Sequence, residues 1–181
     1  MNDKLREKVQ MINRPLRWKI DKVKEMKVIY ESSKTKDNAI FLDLDGTIVE
    51  YITGPRKHKR VKFRPHYEHF VNELSSICDV FLYSFAEPIR IKSLWSRYFK
   101  DKFAGYFDCR YWFSYKKSIR AFRELSSKIF IIDDTPSIIH GDSLDAYVYI
   151  SRWHGEGEDT ELLEILQQIK QKLSVSDITV K

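Results

Sequence analysis

Cysteine and long apolar segments are both scarce in this 181-residue sequence. Its two cysteines, Cys78 and Cys109, lack the spacing of a metal-binding pair, which argues against a zinc site or a disulfide framework. No apolar run approaches the roughly 20 residues that cross a bilayer, and the N-terminal MNDKLREKVQ lacks the apolar core of a signal peptide. We therefore expect a soluble intracellular protein, located in the cytoplasm or the nucleus.

Positive charge is concentrated at the start of the chain. Residues 1–36 hold eleven Lys and Arg against five Asp and Glu, which accounts for the whole net charge of +6. Apolar residues recur here every three or four positions, which predicts an amphipathic helix that is divided or restarted near Pro15 and packs on the body. Contact with an acidic partner is the alternative. We expect this helical extension to precede one domain over 37–173 and a tail over 174–181.

The rest of the chain alternates short apolar segments with segments of helical spacing. The segments predicted to be buried strands are 38–44, 78–84, 128–133 and 145–150. The segments predicted to be helices are 65–77, 87–99, 116–125 and 159–173. A further strand and loop are expected in the aromatic-rich residues 98–115, and a short β-hairpin flap in residues 49–65. This alternation predicts an α/β fold, a three-layer Rossmann-like parallel sheet with helices on both faces and no large cap domain.

Polar side chains follow three of the predicted strands. Asp43 and Asp45 come after the first strand, Ser84 after the second, and Asp133 and Asp134 after the third. In an open α/β sheet, ligands bind beyond the carboxyl ends of the strands, so these residues are expected to share a site. Residues two apart in an extended segment point to the same side, and a divalent cation, preferably magnesium, would relieve the repulsion between two carboxylates. Simple turn chemistry in DLDG is the alternative.

These residue types suit the chemistry of phosphate esters. One carboxylate could attack phosphorus and another could move a proton, while a hydroxyl and an ammonium group bind phosphoryl oxygens. Lys116 and Lys117 precede the third strand and could each supply that ammonium group. A phosphate monoester dianion repels an anionic nucleophile, so Mg²⁺ and a lysine are needed to offset the charge that develops.

Several ordered motifs together resemble the haloacid dehalogenase superfamily. Within it, the sequence is similar to phosphatases of the FCP/SCP type, also called NIF-like or RNA polymerase II C-terminal-domain phosphatases. The resemblance extends over roughly residues 38 to 170 and implies the phosphatase fold for the domain 37–173. The motifs that carry it are IFLDLDGTIV, VKFRPHYEHF, VFLYSFAEP, KKSIRAFRELSSKIFIIDDTP and SRWHGEGEDTELLEIL.

The resemblance assigns roles to the acidic residues. It implies that Asp43 is the nucleophile, which becomes phosphorylated, and that Asp45 acts as general acid and then as general base. It also implies a Mg²⁺ ion held by the Asp43 carboxylate, the Asp45 backbone carbonyl and Asp134. The cofactor expected from the sequence is therefore Mg²⁺.

The remaining site residues follow from the same resemblance. Ser84 and a lysine would bind the phosphoryl group, and the spacing to Asp133 favours Lys117 over Lys116. Asp133 would orient that lysine, and Thr47, within the first motif, would support the site. A turn hydroxyl at Ser84 and solvated lysines at a helix start are the structural alternatives.

Two departures from the polymerase-tail enzymes bear on the substrate. Gly46 stands where those enzymes often have an acidic residue, and the segment 50–62 is shorter than their substrate-gripping insertion, which weakens the polymerase tail as substrate. The flap is nevertheless strongly basic, and its charged side chains would guide an anionic substrate or would simply be solvated. The candidate guiding residues are Arg56, Lys57, Lys59 and Arg60.

The first functional hypothesis is a Mg²⁺-dependent phosphatase that forms an aspartyl-phosphate and acts on phosphoserine or phosphothreonine of a protein. A phosphatase of nucleic-acid ends or nucleotides is the second hypothesis, which the basic flap and N-terminus favour. A non-catalytic binding or scaffold member of the same fold is the third. The partner expected first is therefore a phosphoprotein, and nucleic acid is the alternative.

Overall fold

The computed structural model describes residues 16–53, 59–112 and 115–174. The strands in these ranges are β1 Asn38–Leu42, β2 Val49–Thr53, β3 Lys59–Phe63, β4 Asp79–Tyr83, β5 Gly105–Phe107, β6 Lys128–Asp133 and β7 Tyr147–Tyr149. The α-helices are α1 Leu16–Ser33, α2 Tyr67–Ile77, α3 Pro88–Leu94, which continues as a π-helical turn over Trp95–Phe99, and α4 Glu161–Ser174. No helix in the described ranges is long and apolar enough to span a membrane.

A parallel five-stranded sheet forms the centre of the protein, in the order β5–β4–β1–β6–β7. Side chains alternate along the central strand β1, so Ile40 and Leu42 enter one hydrophobic core and Ala39 and Phe41 enter the other. Both faces are covered, which explains why β1 is apolar at almost every position. The predicted α/β fold is confirmed, and β2 and β3 form the small antiparallel hairpin.

Helix α1 belongs to the packed body. Its Met26 and Tyr30 are fully buried in the second core, where the Tyr30 ring stacks on Phe81 with 4.9 Å between the centroids. The helix begins at Leu16, directly after Pro15 in the sequence. Residues 1–15 and 175–181 lie outside the described residues, so the predicted division into extension, domain and tail stays a prediction.

The predicted helix over 116–125 is wrong, since the chain there forms turns instead. Within the segment, Phe122 N donates to Ile119 O and Leu125 N donates to Phe122 O, both at 2.8 Å, which are turns of three residues. At its start the backbone bonds to another segment: Lys117 N donates to Ile138 O at 2.7 Å, and His140 N donates to Lys117 O at 2.9 Å. Ile119 N likewise donates to the Ser143 hydroxyl at 3.0 Å. With these bonds Lys117 lies inside the protein and is fully buried.

A buried arginine joins the hairpin to the segment before α4. Arg64 is 2% exposed, and its Nε and Nη2 donate to Asp159 Oδ2 at 3.0 and 2.7 Å. Nη2 also donates to Glu161 Oε2 at 2.7 Å, and Nη1 donates to the backbone oxygens of Ser151 at 2.9 Å and Thr47 at 3.3 Å. A guanidinium group can make this many directed bonds at once, which a lysine cannot.

Replacing Arg64 by lysine is therefore expected to lower the free energy of unfolding by about 2 kcal/mol, because buried acceptors lose their donors while the charge is kept. Urea denaturation measures the difference. The matched control is Arg97→Lys, at an exposed position. A loss at Arg64 no greater than at Arg97 would contradict the structural role given to this side chain.

Candidate active site

Asp43 and Asp133 are brought side by side by the pairing of β1 with β6. Leu42 lies opposite Ile132 in the parallel register, and Asp43 N donates to Ile132 O at 2.9 Å. Both carboxylates are buried at the carboxyl edge of the sheet. The site that the sequence places at this edge of the sheet is therefore built by the two central strands.

Lys117 links the two carboxylates. Its ammonium group is fully buried and donates to Asp43 Oδ1 at 2.6 Å and to Asp133 Oδ2 at 2.5 Å. The ammonium also lies 5.2 Å from the ring centroid of Trp112. Lys116, the alternative in the sequence, is exposed. Of the two lysines, Lys117 is thus the one in contact with the predicted nucleophile.

Asp43 and Lys117 each shift the pKa of the other. Burial raises the pKa of the Asp43 carboxyl to about 7, and the Lys117 ammonium opposes that shift while Asp133 and Asp45 add to it. Burial alone would lower the pKa of Lys117, but Asp43 and Asp133 outweigh it and raise that pKa. The lysine is therefore held as a cation beside a carboxylate that needs further positive charge to stay ionised.

Three carboxylates could together hold a metal ion. Asp43, Asp133 and Asp134 each offer an oxygen, and these oxygens lie within 4.8 Å of one another. Such hard oxygen donors suit Mg²⁺ better than a softer metal ion. Asp133 is already engaged at both oxygens, by Lys117 and by Thr135 N at 2.8 Å. Both oxygens of Asp134 also accept hydrogen bonds, from Arg152 and from Thr135, so a cation would have to share Asp134 with these donors, whereas only one oxygen of Asp43 is engaged, by Lys117.

Asp45 lies in the turn after β1 and is held by an arginine. Arg90, in α3, forms an ion pair with the Asp45 carboxylate, and its Nε donates to the Tyr51 hydroxyl at 3.0 Å. The guanidinium carbon of Arg90 lies 4.2 Å from the centroid of the Tyr51 ring. Burial raises the pKa of Asp45, although Arg90 opposes the shift. Asp45 is thus a half-buried carboxyl that takes up a proton more readily than an exposed one.

Ser84, the predicted phosphate-binding hydroxyl, and Thr47, the predicted supporting residue, are both buried. Ser84 is buried just beyond β4, the strand next to β1, and its hydroxyl accepts a bond from Ala86 N at 3.3 Å. Within the described ranges no hydrogen bond joins it to Asp43 or Lys117. Thr47 is fully buried, and its Oγ1 has no hydrogen-bond partner among the described residues.

The predicted guiding residues of the flap are only partly within the described ranges. Arg60 lies on β3 and is exposed, as a substrate guide must be. Lys59 begins β3, but its side chain lies outside the described part, as do Arg56 and Lys57 entirely. The guiding role of the flap stays a prediction.

Sequence reasoning missed Arg90 and Arg152. Arg90 lies on the first turn of α3, six residues after Ser84, and pairs with Asp45. Arg152 lies after β7 within SRWHGEGEDTELLEIL, and its Nη1 donates to Asp134 Oδ2 at 2.9 Å. The one signal in the sequence is Gly46, whose missing side chain leaves room for Arg152.

Comparisons with known proteins identify a phosphatase family and structures with the same fold. A family model described as NLI interacting factor-like phosphatase matches residues 38–179. The structure of a variant of the fission yeast RNA polymerase II CTD phosphatase Fcp1, bound to beryllium fluoride, is similar with a TM-score of 0.53 and 15% identity, covering 84% of this chain and 54% of that one. A second Fcp1 structure has a TM-score of 0.50 and 16% identity, with 87% and 58% covered.

No curated protein matches the chain at a significant level. The chain spans little more than half the length of the two Fcp1 structures, and the likeness to them shows the fold. The family model, by contrast, covers most of the chain, from the first residue of β1 to beyond the end of α4. The chain therefore belongs to the NLI interacting factor-like phosphatases, the family that its motifs resemble.

Proposed function

We propose that this protein is a Mg²⁺-dependent phosphatase that hydrolyses phosphoserine or phosphothreonine of a protein through an aspartyl-phosphate on Asp43. The observation that carries the proposal is the buried Lys117, which contacts two carboxylates, Asp43 and Asp133, of a group of three. A buried cation among carboxylates suits a site that must accept a phosphate dianion.

Asp43 would act as the nucleophile. One of its oxygens accepts a hydrogen bond from Lys117, which fixes the orientation of the carboxylate and leaves the second oxygen to attack phosphorus. Mg²⁺, held by Asp43, Asp134 and the backbone carbonyl of Asp45, would supply positive charge next to the phosphoryl oxygens. Ser84 and Lys117 would bind the same oxygens, and Asp133 would keep Lys117 in position.

Asp45 would move the protons. As attack proceeds, the O–P bond to the leaving group breaks, and the leaving oxygen takes the proton of Asp45. The carboxylate left behind then accepts a proton from the water that hydrolyses the aspartyl-phosphate and releases inorganic phosphate. Burial raises the pKa of Asp45, which favours the protonated form that the first step needs. Arg90 would orient this carboxyl toward the leaving group.

The small size of the hairpin favours a protein substrate. Between β1 and α2 the described chain contributes only the hairpin β2–β3, so no large cap domain is inserted there that would restrict the substrate to small molecules. Fcp1, which shares the fold, is described as acting on a phosphorylated protein, the polymerase CTD. The short hairpin and Gly46 direct the proposal to phosphoproteins in general rather than to that tail.

A substrate panel tests the proposal. Phosphoserine and phosphothreonine peptides, 3′- and 5′-phosphorylated oligonucleotides and a generic aryl phosphate are offered in parallel, with Mg²⁺ and with a chelator. We expect Mg²⁺-dependent phosphate release from the aryl phosphate and preference for the peptides. Preference for oligonucleotides, with steep salt dependence, would mean that nucleic-acid ends rather than phosphoproteins are the substrate. No turnover of any substrate would mean that the protein is a non-catalytic binding module.

A further inference from the structure

Arg152 contacts the predicted metal ligand Asp134 from outside the sheet. Its Nη1 donates to Asp134 Oδ2 at 2.9 Å, while the other oxygen of Asp134 accepts a bond from the Thr135 hydroxyl at 3.1 Å. The Arg152 side chain is 49% exposed, whereas that of Asp134 is 3% exposed. A half-exposed guanidinium group therefore contacts a buried carboxylate.

Gly46 makes this approach sterically feasible. A Cβ atom on Gly46 would lie 2.7 Å from Asp134 Oδ2 and 2.9 Å from Arg152 Cγ, and the backbone there has a φ of +81°, which disfavours other residues. Trp153 N donates to Gly46 O at 2.7 Å and so fixes the segment that carries Arg152. The absence of a side chain at Gly46 thus leaves the space in which Arg152 reaches Asp134.

A second acceptor for the guanidinium stands on the hairpin. Arg152 Nη2 lies 3.7 Å from Glu50 Oε2, beyond hydrogen-bond distance but within reach of a side-chain adjustment. The other Glu50 oxygen accepts a bond from Tyr51 N at 2.7 Å, which holds the carboxylate in place. Arg152 therefore has two carboxylate partners, of which only Asp134 belongs to the predicted metal site.

We propose that Arg152 competes with Mg²⁺ for Asp134, and that Glu50 receives the guanidinium group when the ion binds. The inference rests on the metal site of the proposed function. A carboxylate oxygen engaged by a guanidinium group donates less electron density to a cation, and the positive charge of the arginine repels that cation. Arg152 thus raises the Mg²⁺ concentration that the protein needs, and Glu50 limits that increase.

The two residues are expected to change Mg²⁺ affinity in opposite directions. Arg152→Met removes the competitor, so Mg²⁺ should bind about tenfold more tightly, since a charge at this distance contributes that much even when it is half exposed. Glu50→Gln removes the alternative acceptor, so Mg²⁺ should bind a few-fold more weakly. Arg152→Lys keeps the positive charge and should stay closer to the wild type than Arg152→Met.

Isothermal titration calorimetry of MgCl₂ into the metal-free full chain measures these affinities without substrate. The matched control is Arg97→Met at an exposed position, for which no change is expected. Thermal unfolding of each variant shows that it is folded, and Glu50→Gln tests the idea independently if Arg152→Met does not fold. Hydrolysis of an aryl phosphate at saturating Mg²⁺ is followed in parallel.

Tighter binding by Arg152→Met together with weaker binding by Glu50→Gln supports the inference. If Arg152→Met binds Mg²⁺ as the wild type does or more weakly, the inference is overturned. If the wild type still hydrolyses the aryl phosphate with Mg²⁺ in that case, the proposed function stands without the inference. If neither the wild type nor any variant binds Mg²⁺, the inference and the metal dependence of the proposed function fall together. A change in Arg97→Met as large as that in Arg152→Met also overturns it.

Discussion

Asp43→Asn is expected to lower the rate of aryl phosphate hydrolysis at saturating Mg²⁺ by at least about 10³-fold, because an amide cannot displace the leaving group from phosphorus. The variant keeps the shape of the side chain and one oxygen that can accept from Lys117, which in the wild type lies 2.6 Å from Asp43 Oδ1. The loss therefore reports on the nucleophile rather than on the fold. Phosphate release under single-turnover and steady-state conditions measures it.

The matched control for Asp43→Asn is Asp101→Asn, at an exposed turn position away from the site. This control should retain wild-type turnover, so that any general effect of removing a carboxylate is accounted for. A protein phosphorylated on Asp43 during turnover should be detectable by mass spectrometry of acid-quenched wild type and absent from Asp43→Asn. Equal rates in Asp43→Asn and the wild type would end the assignment of Asp43 as nucleophile.

The sheet and its polar edge were predictable because they depend on short-range patterns. Apolar segments ending in Asp43, Ser84 and Asp133 predict parallel strands, and parallel strands place their carboxyl ends together whatever the loops between them do. The contact of Asp43 with the strand of Asp133 then follows from the register of β1 and β6. The catalytic roles of these residues stay predictions.

The conformation around Lys117 was not predictable from its own segment. The spacing of Ile119, Phe122 and Leu125 is compatible with a helix, and two of these residues, Ile119 and Phe122, are indeed buried. The backbone of Lys117 and Ile119 instead bonds to residues 138–143, which are more than fifteen positions away, and only short turns form after it. Local spacing predicts which side chains are buried, but it does not show which backbone partner is available.

The two arginines were missed for a related reason. Arg90 and Arg152 lie in segments whose patterns predict a helix and a loop, where charged residues are ordinarily solvated. Their partners, Asp45 and Asp134, are 45 and 18 positions away in the chain. Only the folded sheet edge brings each guanidinium group to its carboxylate, and the resemblance to the family gives no role to either arginine.

Lys117→Met is expected to remove activity and stability together. The Lys117 ammonium nitrogen lies 2.6 Å from Asp43 Oδ1 and 2.5 Å from Asp133 Oδ2, so without it two buried carboxylates lose their shared cation. Breaking a buried ion pair in this way costs about 3 kcal/mol of unfolding free energy, and loss of a phosphoryl-binding cation is expected to reduce turnover by about 10²-fold or more. Lys116→Met, at the exposed neighbouring position, is the matched control and should change neither quantity.

The pH dependence separates the loss of Lys117 charge from a loss of packing. Lys117 lowers the pKa of Asp43, which burial has raised to about 7, so the variant should raise that pKa further. A carboxyl with a higher pKa in the folded protein than in the unfolded protein takes up a proton on folding, and its contribution to stability is lost as the pH rises. Urea denaturation of the metal-free protein measures the unfolding free energy that Lys117→Met loses relative to the wild type. This loss should therefore be smaller at about pH 5 than at about pH 7.5. A loss of unfolding free energy that does not depend on pH would mean that Lys117 stabilises the fold by packing alone.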